Sequence, residues 1–419
     1  MFQKHPAHAG CFYFRLCRTL HSFTGMEFSP EVFLNKLAQT NDSPFLIPVE
    51  RAEGIYLYAP DGKRYTDLIS GIGVSNIGHR HPHVIQAIKN QLDKHLHVMV
   101  FGEYIQSTPN RLAEKLTTLL PKSLNCVYFV NSGTEANEGA LKLAKRYTGR
   151  TEIISCRKSY HGSTHGSLSV SGNEVKKQAF RPLLPDIKFI DFNVEEDLKQ
   201  ITTSTACIII ETIQGDAGVR VPSKNYMKAL RSRCDETGTL LILDEIQCGM
   251  GRTGTLFAFE QFDIVPDILT TAKAFGGGLP IGAFVADKKI MRTLTHDPML
   301  GHITTFGGNP VCCASALATL EVLENEKLLA TVEEKGKLFE KLLQHQHIQA
   351  LRRFGLLFAV DFDSAERVNR IVEYAKQKGV ICYWFLSHPN SFRIAPPLTI
   401  SEEQIRESCE VIVEAIERS

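Results

Sequence analysis

Short apolar runs alternate with amphipathic stretches along most of the chain. Cys126–Val130, Ala206–Ile210 and Leu240–Leu243 are unbroken apolar runs bounded by polar residues, the pattern of strands buried on both faces of a parallel sheet. Glu152–Ser155 predicts a further strand, Glu138–Tyr147 has helical periodicity, and a second apolar segment, Ile264–Leu269, leads to Lys273 and a glycine-rich turn. Earlier, alternation in Ile55–Tyr58, the turn Pro60-Asp61-Gly62 and the run Arg64–Leu68 predict a hairpin. The last part reads as a helix to about His345, a strand Leu356–Phe362, a helix Ser364–Lys378, a strand Val380–Trp384 and a final helix after Ser401. Together these predict the α/β class: a large domain with a mostly parallel central sheet flanked by helices, and a smaller α+β domain. The expected boundaries are 26–75 for an N-terminal segment joining the small lobe, 76–310 for the large domain and 311–419 for the small one.

Composition narrows the partners. A chain of 419 residues, 43% hydrophobic and 22% charged, is long enough for two lobes with a large core. Its net charge of +1, without any basic block, points to small-molecule ligands, with no nucleic acid and no membrane surface as partner. The eleven cysteines form no CxxC pair. Several, such as Cys207, Cys312 and Cys313, lie in apolar runs, and they read as reduced core residues of a cytoplasmic protein. Residues 1–25 hold Lys4, Arg15 and Arg18 but no acid. They faintly resemble a transit peptide, and read better as a disordered or misannotated extension before Met26 and a capped helix. No apolar run is long enough to span a bilayer. His79, His81 and His83 lack an accompanying acid or cysteine cluster, so loop and capping roles are expected and no metal.

The candidate chemistry lies at strand ends. Asp244 closes its apolar run, where ligands collect in open α/β sheets, and Lys273 follows the next one amid Ala272, Ala274, Phe275 and glycines. Such surroundings solvate an ammonium poorly and favour the nucleophilic amine. A fixed acid beside a lysine is the pair that pyridoxal phosphate requires: the lysine holds the aldehyde as a Schiff base, and the acid keeps the ring nitrogen protonated. Read singly, Asp244 is also a helix N-cap and Lys273 a loop charge. Ser132-Gly133-Thr134 sits at a strand-to-helix turn, where free amides and a helix dipole converge on one spot suited to phosphate. The same residues also read as an ordinary cap.

The stretch LILDEIQCGMGRTG followed by PDILTTAKAFGGGLPIGA closely resembles the class III, or ω-type, aminotransferases among the fold-type I pyridoxal phosphate enzymes, in their acetylornithine, ornithine and 4-aminobutyrate branches. The resemblance runs from about Phe45 to the C-terminus. It implies that Lys273 and Asp244 are catalytic and hold pyridoxal 5'-phosphate, that Ser132, Gly133 and Thr134 bind its phosphate, and that Tyr160 stacks on its ring. It further implies that Glu211 bonds cofactor-binding groups, that Gln247 meets the phenolic oxygen, and that Thr305 reaches the phosphate of a partner subunit in a homodimer with shared sites.

For substrate, the resemblance implies Tyr56, Ile72 and Thr304 as pocket residues and Arg393, before a rigid Ala-Pro-Pro turn, as the carboxylate fork. Asp216 stands where an acid masks that arginine, one carbon shorter than the Glu of the ornithine branch. Ser163 stands where the acetylornithine and ornithine branches carry an arginine for a substrate carboxylate, unless Arg157 or Arg181 substitutes. The expected activity is ping-pong transfer of an ω-amino group to 2-oxoglutarate. Alternatives are an aminomutase or racemase on the same fold, and a non-catalytic binding protein that keeps it.

Overall fold

The computed structural model describes residues 28–100 and 102–419, so the reading of residues 1–25 and of Met26 lies outside them. The described residues up to Arg51, with Tyr58–Arg64, form one unit, and Ala52–Leu57 with Tyr65–Ser419 form the other. The first unit holds a helix, Pro30–Lys36, capped by the Ser29 hydroxyl, and a tight turn in which Ala59 N donates to the Lys63 carbonyl at 2.9 Å. The turn sits where Pro60-Asp61-Gly62 predicts it. In the second unit Asp67 N donates to the Ile55 carbonyl at 2.8 Å, the other end of the expected hairpin.

The centre of the second unit is a seven-stranded sheet. Its strands are β1 (Cys126–Val130), β2 (Glu152–Cys156), β3 (Ile187–Ile190), β4 (Thr205–Glu211), β5 (Leu240–Asp244), β6 (Ile268–Thr271) and β7 (Gly282–Ala286), in the order β1-β7-β6-β5-β4-β2-β3. All neighbours are parallel except β7, which runs antiparallel to both β1 and β6. β4 and β5 are buried along their whole length. Each fully buried isoleucine of Ile208–Ile210 contributes roughly 2 kcal/mol of transfer free energy. β6 begins at Ile268, later than the apolar segment from Ile264, because Pro266 and Asp267 precede it and the Asp267 carboxylate caps Leu241 N at 2.7 Å. A long helix, α1 (Gly133–Thr148), packs Ala136, Ala140, Leu143 and Ala144 onto the sheet core. Gly139 permits this approach: a Cβ there would meet the Phe284 ring at 2.3 Å.

A second sheet follows helix α2 (Pro310–Asn325), with order Ala350–Phe354, Leu357–Asp361, Ser391–Ile394, Tyr383–Trp384 and antiparallel pairing throughout. Helices Ala365–Gln377 and Glu402–Glu417 accompany it, the second closed by a Ser401–Gln404 capping box. Two details correct the sequence reading. Strand Ala350–Phe354 was not anticipated, because its two arginines break the apolar alternation. The expected strand Val380–Trp384 is split at Cys382: Val380–Ile381 pairs in parallel with Thr66 and Asp67, whereas Tyr383–Trp384 joins the second sheet. No helix among the described residues is long and apolar enough to cross a membrane.

Candidate active site

Register brings the acids together. Glu211 is paired with Asp244, and Asp244 with Thr270, across the carboxyl ends of β4, β5 and β6. Asp244 is then fixed from three sides. Its Oδ2 accepts from Asn137 Nδ2 at 2.8 Å and lies 2.7 Å from His161 Nδ1, while Oδ1 accepts from Ile246 N at 3.1 Å. Asn137 is itself oriented, since its Oδ1 accepts from the Thr270 hydroxyl at 2.8 Å and its Nδ2 also donates to the His161 carbonyl at 2.8 Å. Sequence reasoning missed both Asn137 and His161. The available signals were an amide on the otherwise apolar face of α1 and a histidine beside Tyr160.

Just past β6, Lys273 opens a short 3₁₀ turn with φ at 49°, a left-handed backbone that is costly for a side-chain-bearing residue and persists where surrounding packing enforces it. Burial depresses its ammonium pKa, opposed mainly by the charge of Asp244. Glu211 accepts from Tyr160 N at 2.9 Å and Gly215 N at 3.1 Å; burial, then the Asp244 charge, push its carboxyl up to about 8. Asp244, Lys273 and Glu211 line one cavity of about 270 Å³ with Gly133, Thr134, Tyr160, Ser163 and Gln247. Gln247 has room because residue 215 is glycine: a Cβ there would lie 2.0 Å from Gln247 Oε1.

The β1–α1 turn forms one wall. Ser132 caps the helix, accepting from Glu135 N at 3.3 Å, which leaves the Gly133 and Thr134 amides in the first turn without helical acceptors. The Thr134 and Thr164 hydroxyls lie 2.7 Å apart beside them. These residues fit pyridoxal phosphate by their chemistry: amides at a helix N-terminus for an anion, a buried acid, and a lysine whose Nζ enters no hydrogen bond with the described residues.

Other expected residues lie outside that lining. Arg393 and Asp216, both buried, form an ion pair at 2.8 Å; Asp216 also accepts from Ser387 Oγ at 3.1 Å and Leu386 N at 3.3 Å. The shorter acid therefore does reach the arginine. Arg393 Nε is buried without a partner among the described residues, and its charge acts on Lys273. The Tyr56 hydroxyl accepts from Gln404 at 3.0 Å, Ile72 has φ 67°, Thr304 Oγ1 accepts from Asn131 at 2.9 Å, and Thr305 is exposed. Ser163 lies 3.4 Å from the Tyr160 hydroxyl. Neither candidate substitute for the missing arginine joins them: Arg157 pairs with Asp191 at 3.5 Å and Arg181 with Glu174 at 2.6 Å. His79, His81 and His83 bond to Asp67, Glu326 and Glu321 respectively.

A buried acid on the central strand and a lysine one strand over, on a mostly parallel sheet, form the pair around which pyridoxal phosphate enzymes are built. Comparison with known proteins narrows the class. The family model described as "Aminotransferase class-III" matches residues 37–416. The chain is 41% identical over 375 residues to an acetylornithine aminotransferase of Methanocaldococcus jannaschii, covering 86% of this chain and 91% of that protein. It is 39% identical over 387 residues to the enzyme of the same name from Clostridium acetobutylicum, covering 89% and 97%. Among solved structures, the ornithine aminotransferase from Toxoplasma gondii ME49 superposes with a TM-score of 0.87 at 27% identity, covering 99% of each chain. A taurine:2-oxoglutarate aminotransferase from Bifidobacterium kashiwanohense, in complex with PLP and glutamate, gives 0.84 at 28% identity, covering 92% of this chain and 96% of that one. The chain belongs to the class III aminotransferases, and its cofactor is pyridoxal 5'-phosphate.

Proposed function

We propose that the enzyme takes the ω-amino group of a donor of the acetylornithine, ornithine or 4-aminobutyrate kind and gives it to 2-oxoglutarate. The observation that carries this reading is the Asp216–Arg393 pair beside Lys273. One site must accept two substrates in turn, and an unpaired buried guanidinium is costly. With an ω-amine at Lys273 the donor's carboxylate is remote, and Asp216 keeps Arg393 neutralised. A 2-oxo acid brings its own carboxylate, for which the planar fork of Arg393 is suited. Bound pyridoxal phosphate supplies the electron sink and the carrier for the amino group. Within the cavity, Gly133 and Thr134 would hold its phosphate, Asp244 would keep its ring nitrogen protonated, and Tyr160 would cover its ring. Lys273 Nζ moves the proton at the donor's amino-bearing carbon, a task helped by its depressed pKa.

The test is product analysis with single donors. Glutamate is expected to form from 2-oxoglutarate with at least one of N-acetylornithine, ornithine and 4-aminobutyrate, with parallel double-reciprocal plots. Rearranged donor without any oxo acid would overturn the reading in favour of an isomerase.

We also infer a cytoplasmic homodimer with shared sites. The nine described cysteines are free thiols, as in a reducing compartment. Exposed Leu96, Met99, Ile105, Ile303 and Phe306 lie on segments joined by the Asn309–Leu96 hydrogen bond of 3.1 Å and a His97–Phe306 ring contact of 4.9 Å, an apolar surface suited to a second copy. Thr305 lies within it. If the partner subunit's Thr305 completes each phosphate site, mixing Thr305→Ala with Lys273→Ala subunits restores one intact site per hybrid dimer. Each hybrid dimer is expected to reach about half the wild-type activity at low cofactor concentration, so that a fully exchanged equal mixture recovers to about a quarter, whereas no recovery on mixing would place Thr305 in its own subunit's site.

A further inference from the structure

Arg252 is buried to 1% exposure, yet among the described residues no carboxylate bonds to it. Its acceptors are neutral and come from three separate segments. Nη1 donates to the Leu356 carbonyl at 3.0 Å and the Pro396 carbonyl at 2.5 Å; Nη2 donates to Asn76 Oδ1 at 2.5 Å and faces Ser70 Oγ at 3.4 Å. Pro396 lies in the Ala-Pro-Pro turn that follows Arg393, and Ser70 and Asn76 bracket the loop that carries Ile72. That turn and that loop are sewn together around the guanidinium: Ser70 Oγ donates to the Ala395 carbonyl at 2.7 Å, Ala395 N to the Leu68 carbonyl at 2.6 Å, and Leu398 N to the Asn76 carbonyl at 2.7 Å. Arg252 itself belongs to the excursion that leaves β5 at Asp244 and bears Gln247. Only a planar fork with several donors satisfies acceptors on so many sides at once.

We propose that Arg252 is a positioning residue for oxo-acid recognition, clamping the loop 70–76 to the turn after Arg393 and so fixing where the carboxylate-binding fork points. The inference rests on the reading that Arg393 binds the oxo-acid carboxylate. A bidentate contact tolerates little displacement, so a loosened clamp weakens the half-reaction that uses Arg393. Lys273, Asp244 and the β1–α1 turn share no hydrogen bond with Arg252, so cofactor binding is expected to be left in place.

The experiment compares Arg252→Lys and Asn76→Ala holoenzymes, with Arg393→Lys as a reference. Each half-reaction is followed separately by the cofactor's absorbance, and the dissociation constant of the cofactor is measured independently. Arg252→Lys is expected to raise the 2-oxoglutarate KM about tenfold, the scale of one misplaced charge-assisted hydrogen bond, with the donor half-reaction and cofactor affinity within about twofold of wild type. Asn76→Ala is expected to shift the same parameter in the same direction by less, and it decides the matter if Arg252→Lys does not fold. Equal losses in both half-reactions, or weakened cofactor binding, would make Arg252 a general structural residue and overturn the proposal. So would an unchanged oxo-acid KM while Arg393→Lys raises it. An unchanged KM in Arg393→Lys would instead remove the underlying reading of Arg393, and the proposal with it.

Discussion

Lys273→Ala is expected to lose about 10⁴-fold in kcat, the upper range for removing a positioned proton-transfer group, while remaining folded. The fold should survive because Asp244 does not depend on the lysine for its partners: Asn137, His161 and Ile246 hold both carboxylate oxygens. The substitution also removes a buried amine whose depressed pKa records the cost of its desolvation, so stability is expected to hold or rise. The check combines turnover with borohydride reduction of the cofactor-loaded protein. Wild type should retain cofactor mass on the peptide that contains Lys273, and the variant should not. Undiminished turnover in the variant would remove Lys273 from the reaction.

Arg393→Ala is expected to act on stability and on substrate together. Arg393 and Asp216 are 4% and 5% exposed, and breaking such a pair by deleting one partner costs roughly 3–5 kcal/mol, because the other charge is left buried alone. The denaturation midpoint should fall accordingly. Removing both groups in Asp216→Ala/Arg393→Ala is expected to recover much of that loss, since no uncompensated charge remains. Recognition should not recover. Losing a desolvated charge-assisted contact costs roughly 2–5 kcal/mol, so the 2-oxoglutarate KM is expected to rise about 100-fold or more in the single and the double variant alike. Recovery of the KM in the double variant would show that Arg393 supports the fold without touching substrate.

Much of this architecture is legible in the chain because burial on both sheet faces leaves apolar runs that need no partner to be recognised, as in β4 and β5. Cap residues mark helix ends equally well, Ser364 and Ser401 among them. Where reading stops, the reason is long-range pairing. Nothing local tells Val380–Ile381 from Tyr383–Trp384, because their separation is decided by different partner strands. Of the site, Lys273 and Asp244 stand out as charges at the ends of apolar runs. His161 and Asn137 do not, since each becomes informative only when another element brings Asp244 to it. Asp216 teaches the same lesson: its reach depends on how close strand Ser391–Ile394 comes, and the shorter side chain proved long enough.

That shortness has a kinetic side. Asp216 is held by Arg393 and also by Leu386 N and the Ser387 hydroxyl. A long acid releases an arginine by rotating about its own bonds, on the timescale of rotamer flips. A short acid tied to a loop has less travel, so if Arg393 exchanges Asp216 for a substrate carboxylate, backbone at 216 and at 386–387 is expected to share the displacement. Backbone rearrangements of this kind run far slower than side-chain rotation, and they set turnover in many enzymes whose chemistry is fast. On that reading, turnover is expected to fall as solvent viscosity rises and to respond to loop composition at 385–388.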